Sequence, residues 1–237
     1  QDVFDLILLN CQVPHERRAD IRAQLAANSF GVKRFHALCD HYGIDLLEQV
    51  FDELLNYAER RMRAGIAAIP DGTYRFEDVF ECDEFSESLA FHVEIEVKGE
   101  EMHLDFRGNP PQVRASLNMV ETALLATVYY AVKTVTDPDA PPNAGLFRPI
   151  SVSSTPGSIL SASSPAAVNG RTNTCQRVVD LVHGALAQAV PEKIIAACNG
   201  AVVSTTFSGN NPRTGEFYVY LETLGGGFGA RATKDGL

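Results

Sequence analysis

Positive charge is scarce in this sequence. Lys plus Arg number 20 against 30 Asp plus Glu, a formal net charge of −10. That balance disfavours nonspecific attraction to nucleic acid or to an anionic membrane, although a locally positive pocket can still hold an anion. No apolar run approaches the ~20 residues of a membrane span. The opening QDVFDLILLN lacks the basic flank of a signal peptide. The five cysteines (Cys11, Cys39, Cys82, Cys175, Cys198) are scattered, and none lies in a CxxC. An odd count without a secretory signal reads as reduced thiols, so the expected compartment is the cytoplasm. Tryptophan is absent, which bears on no function. Several signatures are missing as well. There is no GK[ST] phosphate loop, no GxGxxG, no HExxH and no nucleophile elbow. No internal repeat or low-complexity tract interrupts the chain.

What is present is enough for one large domain or two small ones: 237 residues, 45% of them hydrophobic, with room for a sizeable core. Both ends read as cut. A strand-like apolar run, Val3 to Leu9, opens the chain, and the turn signal KDGL closes it. The expectation is a piece of a longer polypeptide.

The stretch from Pro142 to Thr174 carries only two charged side chains, Arg148 and Arg171. Pro, Gly, Ser and Asn crowd it too densely for a helix. It is too apolar for a disordered linker, which needs low hydrophobicity. Its backbone polar groups must be paired somewhere, and long irregular segments inside domains tend to be functional. It reads as a packed, turn-rich wall holding two fixed arginines.

Elsewhere the periodicity is clearer. Glu16 to Tyr42 reads as a helix stopped by Gly43, which accepts the left-handed conformation beyond a helix end. Asp45 to Ala68 reads as a second helix, making a helical hairpin region over 1–70. After the turn Pro70-Asp71-Gly72, the residues Leu89, Phe91, Val93, Ile95 and Val97 alternate as a half-buried strand. Met102, Leu104 and Phe106 alternate back as its hairpin partner. Helices follow at 118–135 and 174–190, then a hairpin of strands at 202–207 and 217–221. Helices and antiparallel hairpins in blocks argue for an α+β fold, with 71–237 as its core.

Several constellations could carry chemistry. Gly225, Gly226, Gly227 and Gly229 follow a strand and suit either a tight turn or a ligand or chain contact. His36, Cys39, Asp40 and His41 share a helix, but His36 and His41 diverge by ~140° and do not suit one metal. Asp180 and His183 read as a surface i, i+3 pair, with orientation of the imidazole by the carboxylate as the alternative. His92 and His103 fall on the solvent parity of their strands. Asn169 to Thr174 leads into a helix that Asn173 or Thr174 can cap; with Arg171 it makes a corner suited to an anion or a carbonyl. Ser158, Ser163 and Ser164 read as turn residues.

An ordered set of short motifs resembles one family. Asp20-Ile21-Arg22-Ala23-Gln24-Leu25-Ala26-Ala27 with Gly31 comes first, then Pro70-Asp71-Gly72-Thr73-Tyr74 with Asp78. Asp105-Phe106-Arg107-Gly108 with Gln112 and Asn118 follows. Next come Pro142-Asn143-Ala144-Gly145, Arg148-Pro149-Ile150, Pro156-Gly157-Ser158 and Pro165-Ala166-Ala167-Val168. Gly225 to Gly229 and Asp235-Gly236 complete the order. The set resembles the hydantoinase B / oxoprolinase family over nearly the whole chain.

The resemblance implies a B-type subunit in a large cytoplasmic hetero-oligomer. Its partner would be a hydantoinase A-type, actin-like ATPase subunit or domain that uses ATP. It implies opening of hydantoin, 5-oxoproline or lactam rings through a phosphorylated carbonyl, or ATP-dependent carboxylation of ketones such as acetone. A divalent metal is implied for the complete enzyme. However, the family's Asn-Asp-Pro and clustered His/Asp segment is absent here, so no metal ligand is assigned to this chain. The family's acidic run reads here as Cys82-Asp83-Glu84-Phe85.

Substrate contact is assigned to Asn118, Asn143, Arg148, Asn169 and Arg171, and no residue is assigned to catalysis. The arginines would hold negative charge, and the asparagines would donate to a carbonyl oxygen. A third reading makes the chain a noncatalytic assembly module that docks the ATPase through Arg60, Arg61 and Arg63 on the helical hairpin.

Overall fold

The computed structural model describes residues 2–81 and 88–237; the altered acidic run at 82–85 lies outside them. The elements in order are α1 (Asp2–Leu9), α2 (Pro14–Tyr42), α3 (Ile44–Ala67), β1 (Gly72–Phe80), β2 (Leu89–Lys98), β3 (Glu101–Asp105), α4 (Glu121–Thr136), β4 (Ile150–Ser153), α5 (Arg171–Leu186), β5 (Val203–Asn210) and β6 (Phe217–Leu224). They divide into two units. One runs to Asp52 and includes Val203–Leu224; the other comprises Glu53–Val202 with Gly225–Leu237. The α+β expectation holds.

In the first unit the expected strand at Val3–Leu9 is a helix instead, α1. Short apolar runs do not distinguish the two by periodicity. Leucine-rich composition and the acidic first turn, Asp2 and Asp5, favour the helix. Val13, at φ 50°, turns the chain from α1 into α2, a backbone region that β-branched residues rarely enter. Gly43, at φ 80°, ends α2, and its N–H bonds to Cys39 O. Phe35 and Phe51, equidistant from Gly43 along the chain, stack with rings 6.4 Å apart, so the chain folds back there. No residue of α2 is buried. β5 and β6 form an antiparallel ribbon.

The second unit holds the main core. Its four-stranded sheet has the order β1-β2-β3-β4, antiparallel except for the parallel β3–β4 pair. Alternation in β2 and β3 sends Phe91, Val93, Ile95, Val97, Met102 and Leu104 to one buried face. Against this core pack Leu124, Val128 and Val132 of α4, Val178, Leu181 and Val182 of α5, and Met62 and Ile66 of α3. Burying each such aliphatic side chain contributes about 1.5–3 kcal/mol relative to exposure. Two strands escaped the periodicity argument. β1 has Tyr74, Phe76 and Phe80 on its inward parity, but Asp78 breaks the alternation. β4 is a short strand inside the wall.

The wall satisfies its backbone by lacing onto residues 110–119. Ile159 N–H donates to Pro110 O, Gln112 N–H to Gly157 O, and Met119 N–H to Ile159 O, each at 2.9 Å; Gly170 N–H donates to Ser116 O at 2.7 Å. Side chains add staples: Gln112 Oε1 accepts from Ser163 N–H at 2.8 Å. At Gly145 the wall approaches α3 so closely that a Cβ would lie 1.9 Å from Leu55 O.

Candidate functional site

The five residues expected to meet substrate are not brought together. Asn118 has no exposed surface. Its Oδ1 accepts from Val113 N–H at 2.8 Å, and its Nδ2 donates to Val113, Ala115 and Ala167 carbonyls at 2.9–3.0 Å. That amide is saturated, so the expectation of substrate contact is corrected to one of holding the wall. Asn143 caps the short turn Ala144–Phe147 through Gly145 N–H and donates to Leu54 O. Arg148 Nη1 donates to Asn56 Oδ1 and Glu59 Oε2, both at 2.9 Å. Both residues clamp the wall to α3. Asn169 and Arg171 are exposed, and Arg171 donates to Val168 O. The cavity that Arg148 lines does not include Arg171, so the two arginines do not form one anion seat.

The pair read as surface, Asp180 and His183, instead faces a cavity of about 470 Å³. Its construction follows from β1 and α5. Inward parity on β1 places Phe76 and Asp78 toward α5. On α5 the helical repeat places Arg177, Asp180 and Gly184 along one stripe beside the core stripe of Val178, Leu181 and Val182. Gly184 admits the Phe76 ring, which a Cβ would meet at 2.6 Å. Arg177 Nη1 donates to Asp78 Oδ2 at 2.9 Å, and Nη2 donates to Asp180 Oδ2. The side chains of Arg177, Asp78 and Asp180 are 17%, 30% and 16% exposed.

Burial pushes the Asp180 carboxyl above its ordinary range, with Arg177 opposing and Asp78 adding to the rise. Burial also lowers His183, opposed by a hydrogen bond to the Ala131 backbone. The His183 Nε2 lies 3.1 Å from Thr134 Oγ1. A half-buried cation shared by two carboxylates, beside an imidazole held toward its neutral form, is the pattern that marks functional clefts. The roof is the segment from Ile194 to Ala197, and Gly200, at φ 70°, packs on Arg177. Arg177 also lines a second cavity of about 370 Å³ with Asn173 and Asn199.

The glycine-rich loop takes the close-approach reading. A Cβ on Gly229 would lie 1.8 Å from Ala196 O, and one on Gly226 would lie 2.2 Å from Asn199. Gly227 O accepts from Asn199 N–H at 3.2 Å, Phe228 N–H donates to Leu237 O at 2.9 Å, and Gly225 meets nothing within 4 Å. The loop thus backs the strip that roofs the cavity.

Asn173, considered as a helix cap, instead accepts from Val202 N–H; Thr174 bonds Leu117 O, and Gly170 takes the cap position. His92 and His103 lie on the outward face but are half-buried and bonded, to Arg107 O and to Ser151 and Ser153. Arg177 itself was missed. The available signal was Asp78, an acid on the inward parity of an otherwise aromatic strand.

Among the described residues, no group of three or more His, Cys, Asp or Glu is placed to hold a metal. Cys11, Cys39, Cys175 and Cys198 are free thiols. No helix is long and apolar enough to cross a membrane among the described residues.

Known proteins resemble this chain. The β subunit of caprolactamase from Pseudomonas jessenii is 31% identical over 242 residues, spanning 100% of this chain and 41% of that one. The crystal structure of the ATP-dependent caprolactamase from Pseudomonas jessenii superposes with a TM-score of 0.89 at 29% identity, over 100% of this chain and 42% of that chain. The nucleotide-free structure of acetone carboxylase shares the fold, with a TM-score of 0.72 at 14% identity over 86% of this chain and 30% of that one. The chain spans about two fifths of the length of the bacterial and archaeal relatives it matches, and under a fifth of the 5-oxoprolinases. Residues 1–237 match the Hydantoinase B/oxoprolinase family, and the chain belongs to it.

Proposed function

We propose that this chain is the central segment of a B-type subunit in an ATP-dependent hydrolase that opens hydantoin, 5-oxoproline or lactam rings. The observation that carries this reading is the Arg177 cavity, in a chain that overlays the caprolactamase along its whole length. Amides are poor electrophiles. Phosphoryl transfer from ATP to the ring carbonyl oxygen, on a hydantoinase A-type, actin-like partner, converts that oxygen into a leaving group. Water then adds to the activated carbon, and the C–N bond breaks to give an acyl phosphate and a free amine. A second water releases the carboxylate and inorganic phosphate. Arg177 donors, screened from bulk water, would face the oxygen on which negative charge grows. Asn169 and Arg171, exposed at the start of α5, are retained as proposed contacts for substrate or partner.

The resemblance also implies a divalent metal in the complete enzyme. The described residues do not fit one, and no step is assigned to a metal in this chain. The cytoplasm is the proposed compartment. The equivalent subunit of an ATP-dependent ketone carboxylase is the second reading, supported by the shared fold of acetone carboxylase. The assembly-module reading rests on three arginines that each pair within the chain. Arg60 pairs with Glu53, Arg61 with Asp137, and Arg63 with Glu59 and Glu101.

The test is reconstitution of the full-length B-type polypeptide with its A-type partner. ATP consumption is then followed with hydantoin, 5-oxoproline and caprolactam, against acetone or acetophenone plus bicarbonate. Ring opening coupled to ATP supports the hydrolase. ATP use that requires a ketone and bicarbonate would reject it.

A further inference from the structure

We propose that the Asp78–Arg177–Asp180 centre recognises the one edge on which a cyclic amide carries its N–H and its C=O side by side. This rests on the hydrolase reading and adds to it a reason for preferring amides over ketones. A guanidinium has five N–H donors, and the fold uses two of those on Arg177, for Asp78 Oδ2 and Asp180 Oδ2. The other oxygen of Asp78 accepts from Val79 N–H at 2.8 Å. The second oxygen of Asp180 accepts no hydrogen bond from the described residues. Spare donors and a spare acceptor therefore stand on two residues already bonded to each other, and both line the cavity.

A small ring forces its amide cis, so N–H and C=O lie on the same edge and match a donor beside an acceptor. An acyclic secondary amide prefers trans and turns the two groups to opposite sides. A ketone of the same shape offers only an acceptor and would leave the mostly buried Asp180 oxygen without a partner. Sites built to bond an N–H reject analogues that lack it, because their own polar group is left unpaired. Away from this edge the lining is apolar apart from His183: Phe76, Pro191, Ile194 and Ile195 suit ring methylenes. The cavity, at about 470 Å³, falls in the range typical of small-molecule sites, roughly 300–1,000 Å³.

The experiment titrates the full-length B-type polypeptide with 2-pyrrolidone, N-methyl-2-pyrrolidone, cyclopentanone and N-methylacetamide, read by isotope-edited NMR. The expected result is that 2-pyrrolidone shifts the amides of Asp78, Arg177, Asp180 and Ala196. N-Methyl-2-pyrrolidone and cyclopentanone should bind at least about tenfold more weakly. N-Methylacetamide should be weaker by about 60-fold, the factor by which the cis form of a simple acyclic amide is outnumbered. Asp180→Ala should remove the preference for the free N–H. If that variant fails to fold, the ligand series on the unaltered protein decides alone. Equal affinity for 2-pyrrolidone and its N-methyl analogue, or shifts confined to other residues, overturns the proposal. An assembled enzyme that opens lactams while this cavity ignores 2-pyrrolidone overturns the recognition and leaves the activity standing. The stated preference in an assembly that uses ATP only with ketones and bicarbonate does the reverse.

Discussion

Replacing Arg177 by Met removes the cation that Asp78 and Asp180 share, and with it the guanidinium that packs against Gly200, while keeping much of the aliphatic stem. Breaking a fully buried pair by deleting one partner costs about 3–5 kcal/mol, whereas an exposed pair is worth about 0–1 kcal/mol. The three side chains keep 16–30% exposure, so solvent screening discounts the buried figure to about 2–3 kcal/mol at neutral pH. The sign with pH follows from the carboxylates. Burial already raises Asp180 in the folded state, and loss of the guanidinium, which opposes that rise, raises it further. A group whose folded pKa is raised favours the folded state below its unfolded value, near ~3.9 for Asp, and that stability is lost as pH rises through the folded value. The deficit of Arg177→Met should therefore be largest near neutral pH and shrink as pH falls toward about 4. Urea unfolding followed by circular dichroism, on both proteins at both pH values, measures it. An equal deficit at the two pH values would refute the charge argument and assign the loss to packing of the arginine stem.

Gly145→Ala should destabilise by at least about 1–3 kcal/mol in thermal or urea melts, because its Cβ would meet Leu55 O at 1.9 Å. Gly31→Ala is the counterpart: nothing lies within 4 Å of its Cβ in α2, and helix propensity should add about 0.5–1 kcal/mol. Burial depresses His183 in the folded state, so its contribution is present above the ordinary imidazole value, ~6.5, and lost as pH falls through the folded one. His183→Gln should flatten the acid side of a stability–pH curve, by up to about 1.4 kcal/mol per pH unit within that window; an unchanged curve would refute the burial argument. Asn118→Ala leaves a buried N–H and several carbonyls unpaired. It should cost about 3 kcal/mol or more and expose the 113–118 amides to hydrogen exchange. Unaltered exchange there would show that the side chain does not hold the wall.

Legibility differed by element for physical reasons. The alternation of Phe91 to Val97 and the stop at Gly43 were plain because local periodicity and backbone freedom suffice there. β1 was hidden because Asp78 broke its inward alternation, and β4 because four residues in a turn-rich tract carry little pattern. The short opening run was ambiguous between strand and helix, and leucine content settled it as α1. Among the candidate site residues, charge isolation drew attention to Arg148 and motif position to Asn118 and Asn143. Asn118 is consumed by the wall's own lacing, and Asn143 and Arg148 tie the wall to α3, because irregular backbone needs side-chain partners where ladders are absent. Asp78 was visible as a motif member, but its partner lies nearly a hundred residues downstream.

The amino-acid sequence by itself determined the α+β class, the main helices, the β2–β3 hairpin and the family, since periodicity, turn residues and motif order are all local properties of the chain. Only the tertiary structure decided which polar groups remain available. Pairing Arg177 with Asp78, tying Arg148 to Glu59 and roofing a cavity with Ile194 to Ala197 all join residues distant in sequence. Their availability depends on burial and on who else bonds them, which no local pattern encodes.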